Sequence, residues 1–311
     1  MTPLLFTNEP LQQVVRELRN ALDEGPVQVT VLNPGVTKDL FAGELCEVAG
    51  QTFRYRSLHV WVNVAESLGC VCAVQEVSEH LMALVFRSLD TTHSWHAQSL
   101  QSGASEKYGS ESTFSRISKF EQPSFLSSFY QALEFLNLPA DARVLAVGVN
   151  QGEELNGVRQ HLERLGRTPR ALVGIDHSQT AIQSAQQRYP NLGMTFICAD
   201  LLKLSELELG RFDVIVCINT LQSASFDGHA VLQDWVKNHA APKARILLGL
   251  PNSRLVDHEV VFGAKMKNYP TSDLSLLVKD IAFYRRYLQQ HQYQVRVLGK
   301  HTVFIAGRLS R

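Results

Sequence analysis

The sequence has neither a long hydrophobic run nor an excess of charge of either sign. Its 311 residues carry 30 Lys and Arg against 30 Asp and Glu, so the formal net charge is zero. No stretch approaches the roughly 18 apolar residues that a transmembrane helix needs, and residues 1–6 lack the basic region of a secretory signal peptide. A neutral chain does not gather nucleic acid or anionic membrane through its overall field. We therefore expect a cytoplasmic protein that does not associate with membranes.

Cysteine is also sparse, which bears on disulfide and metal sites. Of the five cysteines, only Cys70 and Cys72 lie close together, and no second pair stands near them to complete a zinc site. Cys198 and Cys217 fall within apolar runs and are expected to pack as small core residues. The sequence predicts no metal site.

Two regions of different composition make up the first 122 residues. Residues 1–95 combine a helical pattern over 9–24 with strand patterns over 27–32 and 81–89, which predicts a small α/β or α+β module. Residues 96–122 are rich in Ser, Thr, Gly and Gln, which is typical of a linker. This segment also holds several charged and aromatic residues, Tyr108 among them, so an active-site lid is the alternative.

Segment 143–155 (Arg-Val-Leu-Ala-Val-Gly-Val-Asn-Gln-Gly-Glu-Glu-Leu) is the one around which the rest of the chain is organised. Its apolar run predicts a buried parallel strand, and its acidic end suits the first turn of a helix. Between them, Gly148, Asn150 and Gly152 tolerate the positive φ of a tight turn and let a ligand approach the backbone. This strand–turn–helix predicts a site for a nucleotide-like ligand.

Two departures from the dinucleotide fingerprint indicate which ligand the turn takes. The fingerprint requires glycine where Asn150 and Glu153 stand. The carboxylates of Glu153 and Glu154 would repel a pyrophosphate and would favour a cationic ligand. An NAD-type oxidoreductase remains an alternative, disfavoured by Glu153.

Beyond the turn, strand and helix patterns alternate strictly, which predicts a parallel sheet with right-handed crossovers. Polar residues end three successive strands: Asp176, Asp200 and Asn219. Ligands of such sheets bind outside the carboxyl ends of the strands, and a carboxylate at Asp176 suits the two hydroxyls of a ribose. Patterns at 293–298 and 301–306 flank a glycine and predict a terminal antiparallel hairpin.

Residues 123–311 resemble the class I S-adenosylmethionine (SAM) methyltransferases on the strength of the glycine turn, the polar strand ends and the terminal hairpin. The family often has an acid where Ala146 stands and glycine where Asn150 stands, so the match has two departures. The resemblance implies an α/β fold with a doubly wound, mostly parallel seven-stranded sheet, and SAM as the cofactor. It implies that the cofactor contacts Gly148, Asn150, Gly152, Glu153, Asp176, His177, Asp200, Leu201 and Asn219.

The acceptor of the methyl group is less defined than the cofactor. Asn219 at the end of the fourth strand of the sheet, His258 in the long segment 251–273 and Tyr108 in the possible lid are the candidates for catalytic roles. We expect a small-molecule acceptor. The ten Lys and Arg against four acids from residue 254 onward leave RNA as an alternative, and a homo-oligomer is possible. A non-catalytic binding protein with the same fold is a further alternative.

Overall fold

The computed structural model describes residues 4–92, 113–223, 226–264 and 272–309. Contacts divide the chain into two compact units, Met1–Ser94 with Val256–Val261, and Trp95–Leu255 with Phe262–Arg311. Within the described ranges, no helix combines the length and apolar character needed to cross a bilayer.

The first unit is a small sheet with two helices. In chain order its elements are β1 Leu4–Leu5, α1 Leu11–Leu22, β2 Val27–Leu32, β3 Leu45–Val48, β4 Gln51–Arg54, α2 Leu58–Ser67, β5 Cys70–Val77 and β6 Leu81–Ser88. The four-stranded sheet has the order β1-β2-β6-β5, and β3 pairs with β4 as a separate hairpin. Val14 and Leu18 of α1 and Trp61 of α2 are buried with Leu84 and Phe86 of β6 in one core.

The second unit carries the larger sheet. Its elements are α3 Pro123–Leu136, β7 Arg143–Val147, α4 Glu153–Arg164, β8 Ala171–Asp176, α5 Gln179–Arg188, β9 Met194–Cys198, β10 Phe212–Ile218, α6 Gly228–Asp234, β11 Ala240–Pro251, β12 Ser253–Val256, β13 Glu259–Phe262, α7 Leu274–Gln290, β14 Tyr293–Gly299 and β15 Thr302–Leu309. Short 3₁₀ helices span Thr113–Arg116, Lys119–Glu121 and Leu201–Leu207, and a π-helical turn, Trp235–His239, follows α6. The hairpin formed by β12 and β13 is split between the two units.

Seven strands form this sheet in the order β14-β15-β11-β10-β7-β8-β9. The five strands from β11 to β9 are parallel, and β15 is antiparallel to both β11 and β14. The predicted doubly wound, mostly parallel seven-stranded sheet with a C-terminal antiparallel hairpin is confirmed. Residues of α3, α4 and α5 share one apolar cluster with the sheet, and residues of α6 and α7 share the other, as expected for a sheet covered on both faces.

The register of the parallel strands brings the ends that carry polar residues to one edge. Val147 pairs with Ile175 on one side and with Cys217 on the other, while Asp176 pairs with Cys198. The residues that follow these strands, Gly148 and Asn219, therefore leave the sheet beside one another. This edge is where a sheet of this type binds its ligand.

Candidate functional site

The turn after β7 adopts the left-handed conformation at each of the three residues that the sequence singled out. The φ values are +69° at Gly148, +44° at Asn150 and +84° at Gly152. The N–H groups of Gly148 and Val149 both donate to the carbonyl of Ile175 in β8, at 2.8 and 3.0 Å. Asparagine adopts this conformation more readily than most residues with a Cβ, so Asn150 can take the left-handed φ of this turn without being a glycine.

Neighbouring side chains leave no room for a Cβ at either glycine. A Cβ on Gly148 would lie 2.1 Å from Oγ1 of Thr220, and one on Gly152 would lie 2.8 Å from the ring of Phe196. Such distances are far inside normal van der Waals contact. The two glycines are thus required by packing as well as by φ, and Thr220 places the turn after β10 directly against the turn after β7.

Asp176 is built into this turn as an acceptor of backbone hydrogen bonds. Its side chain is 6% exposed. The N–H of Asn150 donates to Oδ2 at 2.8 Å, and the N–H of Ser178 donates to Oδ1 at 3.0 Å. His177, whose side chain is 45% exposed, places Nδ1 3.2 Å from Oδ1. A carboxylate has about four acceptor positions, so these contacts orient Asp176 and leave acceptor capacity for a ligand hydroxyl.

Asp200 has a similar local role at the end of the next strand. Its Oδ1 accepts a hydrogen bond of 2.9 Å from the N–H of Leu202 and caps the 3₁₀ helix Leu201–Leu207. The Asp200 side chain is exposed, whereas Leu201 is 7% exposed and lies in the core. The second carboxylate oxygen, Oδ2, has no contact within hydrogen-bonding distance among the described residues. It lies at the edge of the sheet where ligands bind in folds of this type.

The two acids at the start of α4 have different surroundings. Oε1 of Glu153 forms an ion pair with Arg188 at 3.0 Å. Glu154 is partly buried, and desolvation raises the pKa of its carboxyl against the lowering effect of the Lys119 ammonium. Burial in turn lowers the pKa of Lys119, against the effect of Glu154 and Glu153. Two partly buried groups of opposite charge thus influence each other beside the glycine turn.

Lys119 reaches this position because the segment before α3 packs against α4. A Cβ on Gly157 would lie 2.7 Å from the ring of Phe120, so this glycine makes room for the ring. Phe120 also packs edge-on against Phe125 and Phe129 of α3, with ring centroids 5.3 and 5.2 Å apart. The sequence patterns did not predict the approach of Lys119 to Glu154, because the two residues are 35 positions apart and Lys119 belongs to no motif.

The described end of the possible lid contacts the glycine turn as well. Nε2 of Gln151, a residue of the turn, donates to the carbonyl of Ser115 at 2.9 Å. Residues 113–121 therefore lie against the turn and the first turns of α4. The rest of the predicted lid, including Tyr108, lies outside the described residues.

A comparison with family models identifies the domain. Residues 144–239, which run from β7 to the end of the π-helical turn, match the model described as a methyltransferase domain. This domain is a class I S-adenosylmethionine-dependent methyltransferase. Its cofactor is SAM. The acidic glycine turn and the polar strand ends described above belong to this matched region, and no curated relative matches the chain.

Solved structures to which the methyltransferase is similar include three from bacteria. The N-methyltransferase NodS from Bradyrhizobium japonicum WM9, in complex with S-adenosylhomocysteine (SAH), has 17% identity and a TM-score of 0.43 over 62% of this chain and 91% of that chain. A SAM-dependent methyltransferase from Aquifex aeolicus has 17% identity and a TM-score of 0.45 over 63% and 98%. Magnesium protoporphyrin IX methyltransferase from Synechocystis PCC 6803 has 14% identity and a TM-score of 0.38 over 70% and 93%.

The turn after β10 carries buried polar atoms that have no hydrogen-bond partner among the described residues. Asn219 has a φ of +54°, and its N–H donates to the carbonyl of Gly249 at 2.8 Å. Its side-chain Oδ1 is buried and has no hydrogen-bond partner among the described residues. The same holds for both Nε2 and Oε1 of Gln222, three residues later. Asn219 was predicted as a site residue, and the fold places it next to Gly148 through Thr220.

His258 belongs to the first unit, whereas Asn219 belongs to the second. It is the second residue of the turn between β12 and β13, with a φ of +68°, and groups with the first unit. The preceding residue, Asp257, forms an ion pair of 2.6 Å with Arg87 of β6. The predicted role of His258 as a base stays a prediction, as does that of Tyr108.

Proposed function

We propose that this methyltransferase modifies a small-molecule acceptor and holds SAM across the ends of β7, β8 and β9. The methionine part would lie at the turn formed by Gly148, Asn150 and Gly152, with the ribose at Asp176 and the adenine at Asp200 and Leu201. His177, Glu153 and Asn219 would border the cofactor. The observation that carries this proposal is the alignment of these residues at one edge of the sheet, with left-handed φ at the turn.

The chemical character of these residues fits SAM better than a dinucleotide. SAM carries a sulfonium, an ammonium and a carboxylate but no phosphate. Glu154 is the acid nearest the turn that has no ion pair within 4 Å among the described residues, and Lys119 is its oppositely charged neighbour. We assign Glu154 to the ammonium and Lys119 to the carboxylate of the methionine part. A pyrophosphate at the same position would meet the carboxylates of Glu153, Glu154 and Asp176 and would be repelled.

The protein's own contribution to methyl transfer is then positioning and exclusion of water. When bound, the cofactor supplies a methyl group on a sulfonium, which is an already activated donor. Asn219 would orient the acceptor, and residues 113–121 would help to close the site over both ligands. A base is needed only for an acceptor that must lose a proton, and His258 and Tyr108 stay candidates for that role.

Calorimetric titration of the full-length protein tests the assignment. SAH should bind, and NAD should not. Lys119→Gln should weaken SAH binding by about ten- to a hundredfold, because the loss of a hydrogen bond to a charged group costs about 1.5–3 kcal/mol. The same variant should bind methylthioadenosine, which lacks the amino-acid part, as the wild type does. Lys279→Gln, at an exposed position of α7, is the matched control.

Two outcomes would count against the proposal in different ways. Equal loss of SAH and methylthioadenosine affinity in Lys119→Gln would remove Lys119 from the methionine subsite. If SAH bound normally but no methylated product formed with any acceptor, the domain would be a SAM-binding module without catalysis.

A further inference from the structure

The turn after β10 holds a buried carboxamide that makes no hydrogen bond within the protein, as far as the described residues show. Both polar atoms of the Gln222 side chain, Nε2 and Oε1, are inaccessible to solvent and unpaired, and so is Oδ1 of Asn219. Nearly all buried polar groups in native proteins are paired. Three unpaired atoms on two residues of one turn therefore indicate that something other than this part of the chain satisfies them.

The backbone around these side chains is fixed. The N–H of Ser223 donates to the carbonyl of Thr220 at 3.0 Å and closes the turn. Leu221 is 4% exposed, and α6 packs so closely on it that a Cβ on Gly228 would lie 2.2 Å from the Leu221 carbonyl oxygen. The hydrogen bond between Thr220 and Ser223 and the packing of Leu221 thus fix the turn that carries Gln222, and the side-chain amide of Gln222 takes no part in this among the described residues.

A third carboxamide lies at the end of the neighbouring strand. Asn252 follows β11 directly and is 8% exposed. Its Nδ2 donates to the carbonyl of Lys300 at 2.9 Å and its N–H to the carbonyl of His301 at 2.8 Å, which orients the side chain. Its Oδ1 is buried and has no partner among the described residues. Because β10 and β11 are adjacent and parallel, Asn252 belongs to the same edge as Asn219.

The three carboxamides are neutral, and so is the turn that carries two of them. Residues 219–223 contain no ionisable side chain, and the nearby charged pair of Lys119 and Glu154 carries both signs. A charged acceptor group buried against carboxamides alone would lose its hydration without gaining a counter-ion, which is costly. The four unpaired atoms are one donor, Nε2 of Gln222, and three acceptors, Oε1 of Gln222 and Oδ1 of both Asn219 and Asn252. A neutral group that both donates and accepts hydrogen bonds can pair with both kinds of atom.

We propose that Asn219, Gln222 and Asn252 line the acceptor site and that the acceptor presents an uncharged group able to donate and accept hydrogen bonds, such as an amide, a hydroxyl or a neutral nitrogen heterocycle. This inference rests on the proposed function, because it places the acceptor at the strand end next to the cofactor. It predicts that the site selects against carboxylates, phosphates and ammonium groups.

The first test uses stability and needs no acceptor. Gln222→Met keeps the length of the side chain and removes the two unpaired atoms, so the variant should melt a few degrees above the wild type in the absence of ligand. Gln186→Met is the matched control and should melt lower, since Nε2 of Gln186 donates to the carbonyl of Phe196. Asn219 is unsuitable for this test, because its left-handed φ is itself favoured by asparagine. A lower melting temperature for Gln222→Met would show that the amide is already satisfied and would overturn the proposal.

The second test uses three probes of one shape and different charge. Benzamide, benzoate and benzylamine are titrated at neutral pH into the SAH-saturated protein, labelled with ¹⁵N in its Asn and Gln side chains. Benzamide should shift the side-chain signals of Gln222 and Asn252, which are assigned from Gln222→Met and Asn252→Asp. The other two probes should leave them in place. In Gln222→Met, benzamide should bind roughly two- to tenfold more weakly for each hydrogen bond lost.

Each result bears separately on the two proposals. If benzoate or benzylamine shifts the same signals as strongly as benzamide, or if benzamide shifts neither signal, the neutral acceptor site is refuted while SAH binding stands. Failure of the wild type to bind SAH in the same experiment would instead refute the proposed function.

Discussion

Gly148→Ala should be among the most damaging single substitutions in the second unit, for two separable reasons. The residue has a φ of +69°, and a Cβ there would lie 2.1, 2.7 and 2.9 Å from Oγ1, Cγ2 and Cβ of Thr220. A left-handed residue with a Cβ costs about 1–2 kcal/mol, and forcing extra volume into a packed site costs about 1–3 kcal/mol. We therefore expect a loss of about 2–5 kcal/mol in the free energy of unfolding.

Gly166 provides a control that isolates the cost of placing a residue with a Cβ in the left-handed conformation. Its φ is +67°, but a Cβ at Gly166 would meet nothing within 4 Å. Gly166→Ala should therefore cost only about 1–2 kcal/mol, and the difference between the two variants is the cost of the contact with Thr220. Urea denaturation and calorimetry of the full chain measure both, and SAH titration should show impaired binding for Gly148→Ala alone.

A double mutant tests the contact itself. Thr220→Ala removes two of the three close atoms, at a cost of about 1 kcal/mol for the hydrogen bond of 3.2 Å from Oγ1 to the carbonyl of Ile218. Combined with Gly148→Ala, it should recover part of the lost stability, so the two substitutions should couple favourably. Equal costs for the alanines at 148 and 166, or strictly additive effects in the double mutant, would refute the steric account of this turn.

Three further predictions concern the charged groups and the segment around the turn. Glu154→Gln should stabilise the ligand-free protein near neutral pH, because glutamine stays uncharged where the buried carboxyl of Glu154 ionises. The pKa of Glu154 is raised by burial, so the contribution of this carboxyl to stability is greatest below about pH 4.3 and is lost as the pH rises through the folded-state pKa. The gain in stability should vanish in acid, and the control Glu163→Gln should not show it. A Glu154→Gln variant that is less stable than the wild type at pH 7 would contradict this prediction. Asp176→Asn should lower stability, because its amide nitrogen would face one of the two backbone N–H groups whose hydrogen bonds the carboxylate now accepts. It should also weaken SAH binding by about 1.5–3 kcal/mol. Unchanged SAH affinity would exclude the ribose role. Hydrogen exchange of residues 113–121 should slow on SAH binding if they act as a lid, and exchange that does not change with ligand would leave them a linker.

The central strands of the second unit's sheet were predictable because they are buried on both faces. Runs such as Val144–Val147 and Val214–Ile218 are continuously apolar, and the glycine or asparagine that follows each run marks the edge of the sheet. Strand β5, by contrast, was not predicted. Most of its residues are exposed, because it is an edge strand, so its sequence lacks both a buried run and a clear alternation.

Contacts between distant parts of the chain were beyond sequence patterns for a different reason. The strand hairpin within segment 251–273 has its turn at Asp257 and His258, and the pairing of Asp257 with Arg87 brings that turn into the first unit. The two residues are 170 positions apart. Periodicity describes which face of an element is buried, but it does not identify the partner, and neither residue forms part of a motif.

The two departures from the family motif have physical explanations once the turn is seen in three dimensions. Asn150 keeps the left-handed φ of the glycine it replaces, and its N–H fixes Asp176. Ala146 is 2% exposed and packs in the apolar cluster shared with α3, α4 and α5, so an acid there would be buried without compensation. Glu154, eight residues after Ala146 and at the start of α4, places a carboxylate beside the glycine turn, and Lys119 lowers the cost of burying it. We propose that Glu154 supplies from the helix the negative charge that the resembled family often has on the strand, so Glu154→Gln should weaken SAH binding as well as change stability.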